Sequence, residues 1–324
     1  MPKTVANEIR EPQAPPAWPE VTHWRTPGEP EAFPVYRLGE TTTVFDHAWR
    51  LHGEGRLPVW GSVLARSQTK GRGRAGKPWC SPPGHVYAAL RLPGAAPFDG
   101  PSASIALALL VTLALEELFS LKAMIKWPND IVFERKKVGG LLLEARRGAT
   151  IGGIGLNLVS PPVWAPQEPG LDDDRGHGHE HAHGHGHDHE PRHDHAHAHG
   201  HGHGPEAGGQ GAYLAPLAAG ALPISEEPAR LWARLVEKML ICYNLSIVNP
   251  DTPPFGAETT MGMAAKRLLG LGHNVSVLSP STEPPFRGRV LTGTLVGLDS
   301  SGALLIDNGQ GNYAVWSGSL FFEF

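Results

Sequence analysis

Three short segments of this chain gather residues whose types and spacing could do chemistry. The first is Gly71-Arg72-Gly73-Arg74-Ala75-Gly76-Lys77. Its glycines let the backbone turn tightly and bring N–H groups close to an anion. Arg72, Arg74 and Lys77 add fixed positive charge, which suits a phosphate. The same run would also serve as a solvated basic loop or a weak RNA contact. It is not a Walker loop, because GxxxxGK[ST] is absent. The second segment is Lys126-Trp127-Pro128-Asn129-Asp130, with Lys137 following. Asn and Asp after a proline commonly just close a turn. Here Asp130 could also hold a metal or a ribose, and Lys137 could neutralise a carboxylate or phosphate. The third is Gly153-Ile154-Gly155-Leu156-Asn157. Its small residues would let a flat ligand lie on a strand, or mark a bulge.

The elements that must position these segments follow from the pattern around them. Val59 to Ala65 and His85 to Leu92 read as strands on either side of the glycine run. Ser102 is a candidate N-cap for an apolar helix ending near Leu121. Ile125 to Trp127 leads into the Pro128-Asn129-Asp130 turn, and a hairpin follows around Glu134-Arg135-Lys136. Thr150 to Leu158 is a further strand broken by glycines. Such an alternation predicts an α/β or α+β layer, a mixed sheet with helices against it. Ser225-Glu226-Glu227-Pro228 opens a helix with Leu231, Leu235 and Met239 on its apolar face. Beyond Asn249 to Pro254 the period is near two, with hairpin turns at Asp299 to Gly302 and at Asn308-Gly309. That tail predicts a small all-β module.

Bulk properties set few bounds. The chain has 324 residues, a formal charge of −4, 40% apolar and 19% charged residues, as in an ordinary soluble protein without a global basic bias. Cys80 and Cys242 form no CxxC spacing and no disulfide framework, so a reducing cytoplasm is expected. Residues 1–34 are Pro-rich and charged, unlike a secretory signal, and read as a loose or surface-lying extension. The apolar run Ile105 to Leu115 is too short to span a bilayer.

Taken together and in order, the three segments closely resemble the biotin protein ligase family. The match is GRGRxGxxWxSPxG at Gly71 to Gly84, KWPND with a following lysine at Lys126 to Gly140, and GxGxN at Gly153 to Asn157. It covers about residues 35–160 and 213–324. The resemblance implies a class II synthetase-like α+β catalytic domain: a mixed β-sheet with flanking helices, and a small C-terminal SH3-like β-barrel. The expected layout is an extension over 1–34, a catalytic domain over 35–250 interrupted by an insertion at 160–212, and a β-module over 251–324. The implied activity is ATP-dependent formation of biotinyl-5'-AMP and transfer of biotin to a lysine of a biotin carboxyl carrier protein.

Residue roles come with the resemblance. Lys137, Arg72 and Arg74 would be catalytic. Thr43, Gln68, Gly71, Arg72, Trp79, Lys137, Gly140, Gly153 and Gly155 would bind biotin. Arg72, Arg74, Lys77, Asn129, Asp130 and Asn157 would bind ATP, with Asp130 as a candidate ligand of Mg²⁺. A homodimer is compatible with the family; DNA and membrane partners are not expected. The chain departs from the family at Thr43-Val44-Phe45, where Ser-Thr-Asn is usual. Only Thr43 keeps a hydroxyl there, unless the register shifts to Thr41 or Thr42. Two alternatives share these features: a lipoyl or octanoyl transferase of the same fold, and a metal-storage protein on a decayed ligase scaffold. The second arises from a low-complexity run in which His177, His179, His181, His183, His185, His187, His189, His193, His195, His197, His199, His201 and His203 alternate with small or acidic residues. Such imidazoles predict loose Ni²⁺ or Zn²⁺ sites without fixed geometry.

Overall fold

The computed structural model describes residues 20–24, 33–162, 217–246, 257–278 and 290–322. The histidine run, the Asn249 to Pro254 boundary and Trp18 lie outside these residues.

An eight-stranded sheet forms the frame. In chain order its strands are β1 (Glu20–Trp24), β2 (Phe33–Thr41), β3 (Ser62–Gln68), β4 (Val86–Leu92), β5 (Met124–Lys126), β6 (Asp130–Phe133), β7 (Lys136–Arg146) and β8 (Ala149–Leu156). Their spatial order is β1-β2-β3-β4-β8-β7-β6-β5. The β2–β3 pair is parallel and is bridged in sequence by helix α1 (Val44–Gly53); the other neighbours run antiparallel. The sheet is thus mixed, as expected. Part of the Pro-rich extension departs from expectation. Residues 20–24 pair along β2 as an edge strand, because a short strand needs only a partner ladder and no core of its own.

Both faces of the sheet are covered, which explains why its strands are apolar without clean alternation. On one face α1 buries Val44, Phe45, Ala48 and Leu51 against Val63, Ala65, Ala89 and Ile151. On the other lies α2 (Ala103–Phe119), buried nearly all round, with α3 (Pro228–Ser246) against it. Leu231, Leu235 and Met239 of α3 are buried as their spacing predicts. Ser102 precedes α2 but does not cap it by side chain; its hydroxyl donates instead to the Pro97 carbonyl at 3.2 Å.

The C-terminal part opens with a helix the alternating pattern did not announce, α4 (Ala257–Ala265). Then come β9 (Asn274–Leu278), β10 (Val290–Leu298), β11 (Leu304–Asp307), β12 (Asn312–Val315) and β13 (Ser319–Phe322). They form an antiparallel five-stranded sheet in the order β12-β11-β10-β9-β13, consistent with an SH3-like module. Asp299 closes the β10–β11 turn, its carboxylate accepting from the N–H of Ser301 and of Ala303 at 2.9 Å. Val275, Val277, Leu295 and Ile306 join the core under α2 and α3. Trp127 adds a polar tie, donating from Nε1 to the Gly302 carbonyl at 3.1 Å.

Candidate active site

The three motif segments converge on one cavity of about 1150 Å³. The glycine-rich run lies in the β3–β4 connection. Lys126 to Asp130 turns from β5 into β6, with Lys126 paired to Asp130 across the hairpin. Lys137 and Gly140 stand on β7, and Gly153, Gly155 and Asn157 lie on β8 or just beyond it. Every expected site residue within the described chain lines the cavity except Gly71. Gly71 serves the loop itself: a Cβ there would fall 2.4 Å from the Trp79 carbonyl oxygen.

One end of the cavity is an apolar slot. A Cβ on Gly155 would meet the Trp79 ring at 2.7 Å and one on Gly140 at 2.9 Å, so both glycines make room for the indole. Gly153 does the same for Phe45, whose Cζ would be 2.5 Å away. Gly153 and Gly155 were expected either to let a flat ligand lie on the strand or to mark a bulge, and all three glycines were expected to line the slot, as they do. The Trp79 and Phe45 rings lie against them and form the walls of the slot. The Trp79 indole N–H is buried there without a hydrogen-bond partner.

The Thr43 to Phe45 stretch has a structural role. Thr43 caps α1, its hydroxyl oxygen accepting from the Phe45 N–H at 3.4 Å. Gln68 Oε1 accepts from the Val44 N–H at 3.0 Å, and its Nε2 donates to Ser81 at 3.0 Å. Gln68 is therefore fixed in place and retains one amide hydrogen for a ligand. Thr42 donates to Asp46 at 3.4 Å, and neither Thr41 nor Thr42 lines the cavity. A register shift does not restore the missing hydroxyls.

The other end is cationic. Lys137 Nζ lies 2.7 Å from Asp130 Oδ1 and 5.3 Å from the Trp79 ring centroid. Lys126 Nζ is 4.0 Å from Asp130 Oδ2. Arg74 donates to Asn129 Oδ1 at 3.3 Å, while Asn129 Nδ2 donates to the Leu141 carbonyl at 2.8 Å. Lys77 lines the same end. Burial lowers the pKa of Lys126; Asp130 works against that, while Lys137 and Lys77 add to it. Lys126 is the motif residue to which the sequence reading gave no role, though it stood within the KWPND segment. Leu278, Gly318, Ser319 and Phe321 of the C-terminal sheet also line the cavity. No spacing in the sequence marks them, because only tertiary packing brings them there.

Beyond the third motif, Asn157 is buried, donating from Nδ2 to the Gly220 carbonyl at 2.9 Å, with its Oδ1 unpartnered. A buried acceptor without a donor is destabilising, so it is suited to a ligand N–H. Next to it, the N–H of Leu158 donates to Nδ1 of His85 at 3.0 Å. Burial lowers the His85 pKa and favours the neutral ring that this acceptor role requires.

Comparison with known proteins bears on the fold and the family. Residues 37–158 match the model of the Biotin/lipoate A/B protein ligase family. A biotin--[acetyl-CoA-carboxylase] ligase of Paracoccus denitrificans is 38% identical over 119 residues, 33% of this chain and 48% of that protein. The bifunctional ligase/repressor BirA of Bacillus subtilis is 36% identical over 113 residues, 33% of this chain and 35% of that one. The chain thus spans about half or less of the length of these curated relatives. A biotin protein ligase from Aquifex aeolicus, solved with biotin and ATP, superposes with a TM-score of 0.57 at 23% identity, covering 89% of this chain and 99% of that one. That likeness is one of fold. Residues 37–158 of this chain thus match the Biotin/lipoate A/B protein ligase family model, and the chain shares the fold of the Aquifex aeolicus biotin protein ligase.

Proposed function

We propose that this chain is a biotin protein ligase. It would join biotin and ATP into biotinyl-5'-AMP with release of pyrophosphate, then pass the biotinyl group to a lysine of a carrier domain. The observation that carries this reading is the position of Lys137. One ammonium group, paired with Asp130, stands where the Trp79 slot meets the cationic end of the cavity. A ligand with an apolar ring system and a carboxylate tail fits that boundary, with the carboxylate on Lys137 and the rings toward Trp79, Phe45 and Gln68. The relative named as a biotin--[acetyl-CoA-carboxylase] ligase supports the choice of biotin.

Two anions must meet in line for the first step. Arg72, Arg74, Lys77, Lys126 and Lys137 would offset their repulsion, with groups already in place when charge develops on the phosphorus. Asn157 Oδ1 would accept from the exocyclic amine of adenine. No enzyme nucleophile is needed. The glycine-rich loop would keep water from the mixed anhydride until the carrier lysine attacks the acyl carbon and AMP leaves.

Magnesium is the metal this chemistry asks for. It is commonly held by one or two carboxylates together with substrate phosphates. Asp130 fits, because its Oδ2 lies 4.0 Å from Lys126 and keeps room for another partner. Among the described residues no group of three or more His, Cys, Asp or Glu gathers for a metal, so the phosphates would complete the shell. Bound there, the ion would draw charge from the phosphate oxygens.

The test is to mix the protein with biotin, MgATP and a biotin carboxyl carrier domain, and to weigh the carrier. A mass gain of one biotinyl group on one lysine is expected. No gain would refute the ligase reading, and gain with lipoate or octanoate alone would assign the other acyl group. Loose Ni²⁺ or Zn²⁺ binding by the histidine run is a separate proposal. It fails if the intact chain binds no more of either ion than a form lacking residues 172–204. Cytoplasmic localisation belongs to the same reading; among the described residues no helix is long and apolar enough to cross a membrane.

A further inference from the structure

Glu144 belongs to none of the three motifs, yet the glycine-rich loop leans on its carboxylate. It stands on β7 with its side chain 16% exposed. Its Oε2 accepts from Trp49 Nε1 of α1 at 2.7 Å and from Arg146 Nη2 at 2.7 Å. Its Oε1 lies 3.1 Å from Arg72 Nη2. The Arg146 guanidinium also rests over the Trp49 ring, 5.1 Å from its centroid. The carboxylate is therefore fixed from two sides before Arg72 reaches it.

An exposed ion pair is worth little, largely because two flexible side chains must be ordered together. Here one partner is already ordered, so only Arg72 remains to be held. Arg72 bridges Pro78, and its neighbours Gly71 and Gly73 are bonded to Trp79 and Lys77, so the two limbs of the loop hold together and the Arg72 side chain ties them to β7. Its guanidinium lies 5.5 Å from the Phe45 ring centroid and 3.6 Å from Asp46 Oδ1, and it lines the cavity. The carboxylate thus fixes where the charge of the loop sits relative to the slot wall.

We infer that Glu144 is a positioning residue that tethers Arg72, and with it the glycine-rich loop, at the rim of the cavity. An anionic ligand then meets a guanidinium already in place. The effect on ligand use rests on the ligase reading; the tether itself does not.

The test uses the full chain and four forms: wild type, Glu144→Gln, Arg72→Ala and the double variant. Glu144→Gln keeps the shape and an acceptor for Trp49 and removes the charge. The first readout needs no substrate: the rate of trypsin cutting after Arg74, followed by mass spectrometry. Each single variant should speed that cut by roughly tenfold, and the double variant should be no faster than Arg72→Ala, since coupled residues are not additive. The second readout is steady-state biotinylation. Glu144→Gln should raise KM for biotin by roughly tenfold with a smaller change in kcat, the mark of misplaced binding groups. An unchanged cut in both single variants, or a Glu144→Gln effect of full size in the Arg72→Ala background, would overturn the inference. If Glu144→Gln does not fold, a faster cut in Arg72→Ala supports the tether and an unchanged cut refutes it. Coupled loop cutting in a chain that ignores biotin would keep the tether and refute the ligase reading.

Discussion

The indole of Trp79 lies directly on Gly155: a Cβ at 155 would fall 2.7 Å from both Cε2 and Nε1 of that ring. The slot exists because residue 155 has no side chain. Gly155→Ala should therefore push the indole into the space a ligand would use. Biotin binding, measured by calorimetry, should weaken by roughly tenfold or more, and overpacking should destabilise the chain by about 1–3 kcal/mol. Unchanged binding would show that the ring is free to move aside.

Lys137 and Asp130 form an ion pair at 2.7 Å on which the proposed adenylation would depend. Lys137→Ala removes the ammonium at the boundary of slot and cationic end while leaving the β6–β7 ladder intact. Single-turnover adenylate formation should fall by roughly 10²- to 10³-fold, the range seen when one preorganised group is removed from a developing charge. Its thermal unfolding should stay close to that of the wild type.

Acid should loosen the segment after β8. Burial holds the His85 pKa below its ordinary 6.5. The unfolded chain then takes up the proton first as pH falls. Stability from this group is present above pH 6.5 and is lost progressively as pH drops from there toward the folded-state value. His47 and His52 are lowered as well and act with the same sign. His85→Gln keeps an acceptor for the Leu158 N–H without the titration. Urea midpoints measured from pH 7.5 to 5.5 should fall less steeply in that variant than in the wild type.

Trp127 joins the eight-stranded sheet to the C-terminal module. Trp127→Phe keeps most of the apolar volume but removes the donor to the Gly302 carbonyl, leaving a buried acceptor unpaired. The expected loss is about 1–3 kcal/mol in chemical denaturation. The cavity wall at Leu278 and Phe321 should loosen with it.

Much of this arrangement is legible in the sequence, for definite reasons. The KWPND turn, the Glu134-Arg135 hairpin and the glycine-rich loop are local features, and proline, glycine and charge write local geometry directly. The apolar faces of α2 and α3 are equally readable. The fate of the glycines is not. Their spacing announces a close approach, but whether a ligand or Trp79 and Phe45 approaches depends on rings distant in sequence. Glu144 is silent for the same reason, since apart from its strand neighbour Arg146 its partners lie on α1 and in the β3–β4 connection. The edge strand at Glu20–Trp24 escapes because its composition carries no core, and pairing alone recruits it.

This cavity is proposed to make an acyl adenylate from biotin. That reaction is tested most directly by ATP–pyrophosphate exchange, with the purified full chain and no carrier protein present. Labelled pyrophosphate should exchange into ATP in a manner that depends on biotin and magnesium and is lost in Lys137→Ala. Absence of biotin-dependent exchange in a folded wild-type chain, or exchange that persists in Lys137→Ala, would contradict it.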